Sequence, residues 1–322
     1  MTRPGTQAPE HSSVLPDARP RKAIPPARDH LQSRLLVWVI MPILCALAIT
    51  RLVGLFVTVP HLHPYIFQSV TISLCFAFLA WCLNAATPSG AACGGVICLC
   101  LIYATHLHTA EIARSAIIPL IGLFILTFLA TRAGRRRKAI SGLAESHSGR
   151  TASQVVANLG FAALFAFPLG LVIRFVLWPN ASTQIDSAII AVGVLSALAE
   201  ATADTVSSEI GQAFGGTPFL LTTIRRVPPG TDGAITLYGT LAGITSAAII
   251  AAVGAPALGM SPAACAVAFA AGVAGLFFDS LLGATVERKG WIGNDLVNFT
   301  STAFAAGIGI LAIRFSQNYL FR

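Results

Sequence analysis

Acidic residues in the second half of the chain are spaced to share one face of a helix. Glu200 and Asp204 lie four positions apart in the segment AEATADTVSSEIG, so on a helix their carboxylates are one turn apart and Ser208 extends the same face. Glu209 would point about half a turn away unless the helix breaks. Two water-facing carboxylates one turn apart suit a hard cation such as Mg²⁺, with waters and substrate phosphates completing its octahedron.

Two more acids extend this set, Asp232 in PPGTDG and Asp279 in FFDSLLGA. Acidic residues are costly at membrane depth and usually mark function, although a buried polar pair that holds helices together is the alternative for Glu200 and Asp204. The candidate catalytic residues are Glu200, Asp204, Asp232 and Asp279, and the candidate metal ligands are Glu200, Asp204, Glu209 and Asp279.

Several residues between and beyond these acids suit phosphate binding. Arg225 and Arg226 can grip phosphate oxygens through two hydrogen bonds each, although the topology alone would also place arginines and Lys289 at this boundary. The sequence PPG ending at Gly230 predicts a type II turn with Gly230 at the positive-φ position. Gly233 would let backbone N–H groups approach a phosphate.

The residue types that are missing narrow the chemistry further. No histidine follows His147, and Cys265 is the only cysteine after Cys100, so carboxylates, arginines, lysine and hydroxyl groups remain. Phosphoryl transfer needs little more, because positioning, metal ions and cationic side chains neutralise its charge. The chain has no P-loop motif and neither the HRD nor the DFG motif of protein kinases, so any kinase here is a membrane-embedded type.

Composition indicates which elements must position these residues. Hydrophobic residues make up 55% of the 322 residues, charged residues only 11%, and the mean hydropathy is +0.75. Soluble proteins carry about 25% charged residues. Continuous apolar runs also exclude a transmembrane β-barrel, whose strands alternate, and predict an all-α polytopic membrane helix bundle. Residues 1–34 are rich in proline and charge and are expected to form a disordered cytoplasmic tail, before one membrane domain at 35–322.

Apolar stretches of near-spanning length predict about nine transmembrane helices. Gly239-x-x-x-Gly243 predicts a close helix approach in one of them. The +8 net charge flanks the spans instead of covering a folded face, so we expect a topological role and no nucleic acid partner. With nine spans the N-terminus lies in the cytoplasm and the C-terminus outside. The predicted spans are Leu35–Val59, Tyr65–Leu83, Ala91–Thr105, Ala116–Thr131, Val155–Trp178, Ser187–Ala203, Ala234–Ala255, Ala263–Gly283 and Val297–Arg314.

Five sequence blocks resemble those of the membrane protein family known as domain of unknown function 92, which includes transmembrane protein 19 and a chloroplast phytyl-phosphate kinase. The resemblance runs from about residue 70 to 315, and the last three blocks are the most specific. The blocks are Ala86–Gly95, Ala130–Gly160, Ala199–Gln212, Thr222–Gly243 and Phe277–Phe299.

The resemblance implies a polytopic protein, and the characterised plant member phosphorylates an isoprenyl monophosphate to the diphosphate. Carried over by matching motif, a polar site at the cytoplasmic face includes Asn294 and Asn298 beside the acids named above. Arg132 and Lys138 contribute to it from the basic loop that follows the fourth predicted span. The implied partners are an isoprenyl-phosphate lipid, a nucleotide and the membrane lipids, and the implied cofactors are Mg²⁺ and an NTP, either ATP or CTP.

Three functions fit these residues. The first is an Mg²⁺-dependent isoprenyl-phosphate kinase in which lipid monophosphate and nucleotide meet at the acidic cluster. The second is a lipid phosphotransferase that uses a nucleotide-activated alcohol and releases a mononucleotide. The third is a transporter with ion sites made of intramembrane acids. The acids lie at one face and not at the midplane, and no inverted repeat relates the two halves, which favours the enzymes.

Overall fold

Helices form almost all of the regular structure in this computed structural model, which describes residues 24–104, 111–143, 148–166 and 183–320. The helical membrane fold predicted from composition is confirmed. A two-stranded antiparallel ribbon, β1 Phe219–Leu220 and β2 Ala234–Ile235, is the sheet found within these ranges. The helices are α1 Pro26–Thr58, α2 His63–Cys82, α3 Pro88–Ala104, α4 Ile117–Arg132, α5 Arg135–Ile140, α6 Ala152–Leu164, α7 Thr183–Phe214, α8 Leu237–Ala257, α9 Pro262–Leu282 and α10 Asn294–Leu320.

The apolar helices match the predicted spans one by one. In the described part of the chain, α1, α2, α7, α8, α9 and α10 are long and apolar enough to cross a membrane. The helices α3, α4 and α6 are apolar but shorter. The fifth predicted span continues past α6 into residues 167–182, which lie outside the described residues. Nine membrane crossings therefore remain a prediction, whereas multi-pass insertion is supported.

Helix α7 lies at the centre of the bundle. Its apolar stretch is almost entirely buried inside the protein, unlike that of any other candidate span in the described residues. It packs against α4, α6, α8, α9 and α10. The predicted close approach is confirmed at α8: a Cβ added to Gly239 would lie 2.5 Å from the Ser207 carbonyl oxygen, and one added to Gly243 would lie 2.8 Å from that of Ala203. The missing side chains let these two helices touch through their backbones.

The first helix begins earlier than the sequence indicated. α1 starts at Pro26, inside the stretch expected to be a tail, and residues 1–23 lie outside the described part of the chain. Proline is well suited to a first helical turn because its missing N–H group would have no helical partner there. The Ser33 hydroxyl donates to Asp295 Oδ2 at 2.7 Å, so the first turns of α1 are held against the start of α10.

The sixth predicted span also differs at its end. The predicted span stops at Ala203, but α7 continues as a helix to Phe214. The added turns are polar, and Glu209 within them is buried in an ion pair with Lys138 of α5. The ion pair with Lys138 stabilises these turns as part of the helix, although their polar composition is typical of a loop.

Candidate functional site

A polar cavity of about 520 Å³ lies at the end of the bundle where α7 and α9 both finish. Its walls come from the last turns of α7, the connection between α7 and α8, the π-helical turn Gly283–Glu287 after α9, and the first residue of α10. π-helical turns often occur at functional sites. The predicted site residues that line the cavity are Asp204, Gly230, Asp232, Gly233, Asp279 and Asn294.

The two central carboxylates belong to α7 and α9. The carboxyl groups of Asp204 and Asp279 lie within hydrogen-bonding range of each other. The Ser301 hydroxyl on α10 donates to Asp279 Oδ2 at 3.0 Å. One helical turn deeper, Glu200 is fully buried, and its Oε1 has no hydrogen-bond partner among the described residues. Buried acidic groups this close repel one another, and a cation bound between them would relieve the repulsion.

The register between α7 and α9 explains why these acids meet. Both helices run toward the cavity, and Gly275 of α9 faces Glu200 so closely that a Cβ on the glycine would collide with the Glu200 side chain. Four residues further on, each helix has risen about 6 Å to the next turn. At that level α7 carries Asp204 and α9 carries Asp279, so the glycine one turn below sets the contact between the two carboxylates.

The predicted turn forms one wall of the cavity. The Thr231 N–H group bonds the Pro228 carbonyl at 3.3 Å, and Gly230 has φ +82°, as a type II turn requires. Gly233 has φ +70° and packs against the π-helical turn, where a Cβ added to Gly283 would lie 2.7 Å from the Gly233 Cα atom. This backbone contact fixes the turn over the end of α9, beside the acids.

Not all of the expected residues reach the cavity. Arg225 and Arg226 are exposed, because their segment folds back along β1, where Leu220 N–H bonds the Arg225 carbonyl at 3.1 Å. The Lys289 ammonium is also exposed and lies 5.2 Å from the centre of the Trp291 ring. Three predicted phosphate contacts and one predicted amide therefore do not line the cavity. They are Arg225, Arg226, Lys289 and Asn298.

Glu209 has a partner other than a metal. The Lys138 ammonium forms a buried ion pair with its carboxylate and donates to the Thr131 carbonyl at 2.7 Å. This ties the short basic helix α5 to α7. Within the described ranges, no three or more His, Cys, Asp or Glu side chains are arranged to hold one metal ion. The four-carboxylate ligand set expected from the sequence is therefore wrong for Glu209. Its side chain lies about half a turn around the helix from Glu200 and faces Lys138.

The structure adds residues that the sequence reasoning passed over. Arg137 and Ser141, at the start and end of the basic α5 region, line the cavity, as do Gln212 and Glu287. The Arg137 guanidinium lies 5.5 Å from the centre of the Phe214 ring. The sequence showed only a run of four basic residues, RRRK, which fits a cytoplasmic loop equally well.

Comparisons with known proteins support a common origin. The family model described as integral membrane protein DUF92 matches residues 71–306. The chain is 37% identical over 61% of its length to an uncharacterized membrane protein of Methanocaldococcus jannaschii, covering 75% of that protein. It is 32% identical over 61% of its length to the chloroplastic protein VTE6 of Arabidopsis thaliana, of which it covers 58%. An uncharacterized membrane protein of Synechocystis is 31% identical over 58% of the chain and 69% of its own length.

No solved structure matches the chain. The family model covers most of the membrane bundle and all of the acids that surround the polar cavity. The chain therefore belongs to the DUF92 family of integral membrane proteins.

Proposed function

We propose that this protein is an Mg²⁺-dependent membrane kinase that transfers a phosphoryl group from an NTP to an isoprenyl monophosphate, forming the diphosphate. The observation that carries the proposal is the meeting of Asp204 and Asp279 in a polar cavity closed on one side by the glycine turn at Gly230–Gly233. The chain's similarity to the chloroplastic protein VTE6 and its family resemblance support the choice of a lipid phosphate as substrate.

The donor set fits magnesium. Mg²⁺ is commonly held by one or two carboxylates, with waters and substrate phosphates as its other ligands. Asp204 and Asp279 supply two carboxylates at the same level, and the unpartnered Oε1 of Glu200 lies one turn below them. Magnesium, when bound, would neutralise charge on the nucleotide phosphates during transfer.

The chain's own residues position the substrates around this pair. The cavity volume of about 520 Å³ falls within the usual range of ligand sites, about 300–1,000 Å³. Gly230 and Gly233 line the cavity at positive φ, and neither carries a side chain that would keep a phosphate away from the backbone. Arg137 at the rim supplies a guanidinium, which can bind a phosphate through two hydrogen bonds. Ser301 orients Asp279 through its 3.0 Å hydrogen bond.

The membrane orientation follows from charge. The cavity opens at the end of the bundle that carries the basic α4–α6 connection, and basic connections stay in the cytoplasm. We place the site on the cytoplasmic side, where NTP is available, with the N-terminus on that side and the C-terminus outside.

The test is product formation by the purified protein in detergent. The protein is incubated with Mg²⁺, ATP or CTP, and a panel of isoprenyl monophosphates, and products are followed by mass. We expect a diphosphate with at least one lipid, and a loss of turnover of about 10²–10³-fold in Asp204→Asn, as for other charge-stabilising groups. Glu111→Gln, at an exposed position on another segment, is the matched control.

Two outcomes would contradict the kinase. Full activity in Asp204→Asn would remove the acidic pair from the mechanism. Release of a mononucleotide, without any lipid diphosphate, would indicate a phosphotransferase that acts on a nucleotide-activated alcohol.

A further inference from the structure

The connection between the π-helical turn and α10 has a residue of the polar cavity at each end. It runs from residue 288 to residue 293, directly after Glu287 and directly before Asn294, and both of these residues line the cavity. Arg288 and Lys289 within it are exposed, so burial of their side chains does not fix its path. The contacts that hold this connection therefore decide where two residues of the cavity wall lie.

Backbone hydrogen bonds attach the connection at both of its ends. The Trp291 N–H group donates to the Val286 carbonyl of the π-helical turn at 3.3 Å. Beyond it α10 begins, where the Val297 N–H group donates to the Gly293 carbonyl at 3.1 Å. The Trp291 carbonyl and the Gly293 N–H group lie between these two sets of bonds and need a partner from elsewhere.

Gln32 of α1 bonds both of these groups. Its Nε2 donates to the Trp291 carbonyl at 3.0 Å, and the Gly293 N–H group donates to its Oε1 at 2.9 Å. One side-chain amide thus satisfies an acceptor and a donor that lie two residues apart. Because the amide is planar and both of its polar atoms are bonded, the backbone from 291 to 293 has little freedom to rotate.

Other residues in the first two turns of α1 hold the same connection. The Arg28 guanidinium, one turn before Gln32, donates to the Gly290 carbonyl at 3.1 Å. Asp29 lies so close to Gly293 that a Cβ added to the glycine would collide with its carboxylate. These contacts, with the bond between α1 and α10 described above, keep the beginning of α1 against the second half of the connection.

Helix α1 lies outside the part of the chain that the family model matches, which begins at residue 71. The two segments in contact are separated by most of the sequence, since Gln32 and Trp291 are 259 positions apart. An element outside the family match therefore contributes to the wall of the polar cavity.

We propose that Gln32 is a positioning residue for nucleotide binding. Through its two backbone bonds it holds Asn294 in the wall of the polar cavity, where the Asn294 amide contacts the nucleotide. An asparagine amide supplies both donors and an acceptor, which suits a nucleotide base, ribose or phosphate. The proposal rests on the proposed function, which places an NTP in this cavity.

Equilibrium binding of a nucleotide without turnover tests this role. The probes are ATP and CTP analogues whose β and γ phosphates are joined by a methylene group, each added with Mg²⁺ to purified protein in detergent and measured by calorimetry. Gln32→Met keeps the length of the side chain but loses the amide, and should weaken binding about tenfold. Gln68→Met, at an exposed glutamine of α2, is the matched control and should leave binding within about twofold.

A double variant separates positioning from a general loss of stability. Asn294→Ala removes the side chain that contacts the nucleotide and should weaken binding about tenfold by itself. If Gln32 acts through Asn294, Gln32→Met/Asn294→Ala should bind as weakly as Asn294→Ala and no more weakly. A loss of about a hundredfold, the product of the two single effects, would show independent action and would overturn the proposal.

Hydrogen exchange measures the contact with α1 without any ligand. Amide exchange in the peptide that covers residues 288–297 should be at least about tenfold faster in Gln32→Met than in the parent protein, because the Gly293 N–H group loses its acceptor. Unchanged exchange in this peptide would show that Gln32 does not hold the connection, and would overturn the proposal whatever the nucleotide affinity.

The outcomes separate this proposal from the kinase. Parental nucleotide affinity in Gln32→Met would overturn the positioning role, even if the parent protein formed the lipid diphosphate. Conversely, weaker binding in Gln32→Met that does not add to the effect of Asn294→Ala would support the positioning role, even if no diphosphate formed in the activity assay. Failure of the parent protein to bind either analogue would overturn both proposals.

Discussion

The Ser301 hydroxyl donates a 3.0 Å hydrogen bond to Asp279 Oδ2 and thereby joins α10 to the acid at the end of α9. The same hydroxyl group lies 3.0 Å from the Asn298 carbonyl of its own helix. Ser301 is completely buried. This bond fixes one carboxylate oxygen of Asp279 and so orients the carboxyl group that meets Asp204.

Ser301→Ala should lower turnover about tenfold, as expected from the loss of one hydrogen bond to a charged group. Ser301 is a positioning residue, so the Mg²⁺ concentration needed for half-maximal rate should rise as well. Steady-state kinetics over a Mg²⁺ titration measure both effects. Ser316→Ala, on the same helix, removes only a bond to the Ile313 carbonyl and serves as control. An unchanged Mg²⁺ requirement would show that Ser301 has only a packing role.

Arg137 and Arg225 should differ in their effect on the nucleotide. Arg137 lines the polar cavity and Arg225 does not, although both are exposed arginines near the same end of the bundle. Arg137→Gln should raise the KM for NTP about tenfold through the loss of a bidentate phosphate contact, and Arg225→Gln should change it less than about twofold. The opposite ranking would mean that the nucleotide binds along β1 and outside the cavity.

The Lys138–Glu209 pair should contribute to stability more than to catalysis. Lys138→Met leaves the Glu209 carboxylate buried without its cation and should destabilise the protein by about 3–5 kcal/mol. The double variant Lys138→Met/Glu209→Leu should recover most of this loss. Unfolding titrations in mixed micelles measure each effect, with the exposed Arg136→Met as control. If the single and double variants are equally destabilised, the two side chains are not coupled.

Gly233 and Gly216 form a matched pair for testing the turn. Both have positive φ, +70° and +69°, but a Cβ would collide with the backbone of Ala284 at Gly233 and meet nothing within 4 Å at Gly216. Gly216→Ala should cost about 1–2 kcal/mol from backbone strain alone. Gly233→Ala should cost more and reduce activity at least about tenfold, because the turn must move away from α9. Equal effects on activity would argue against a functional contact between the turn and α9.

Local patterns in the sequence were sufficient to predict the features that depend on residues close together in the chain. Apolar runs predicted the membrane helices, four-residue spacing put Glu200 and Asp204 on one face of α7, and PPG predicted the turn at Gly230. These features follow from helix periodicity and from backbone sterics, which act over a few residues.

Only the tertiary structure decided which distant groups meet. The helix register set by Gly275 brings Asp279 to Asp204. The packing of α5 against α7 pairs Glu209 with Lys138 and not with a metal. The folding of the α7–α8 connection along β1 keeps Arg225 out of the cavity. Such contacts depend on how closely whole helices approach and in what register, and helix-periodic spacing alone leaves both undetermined.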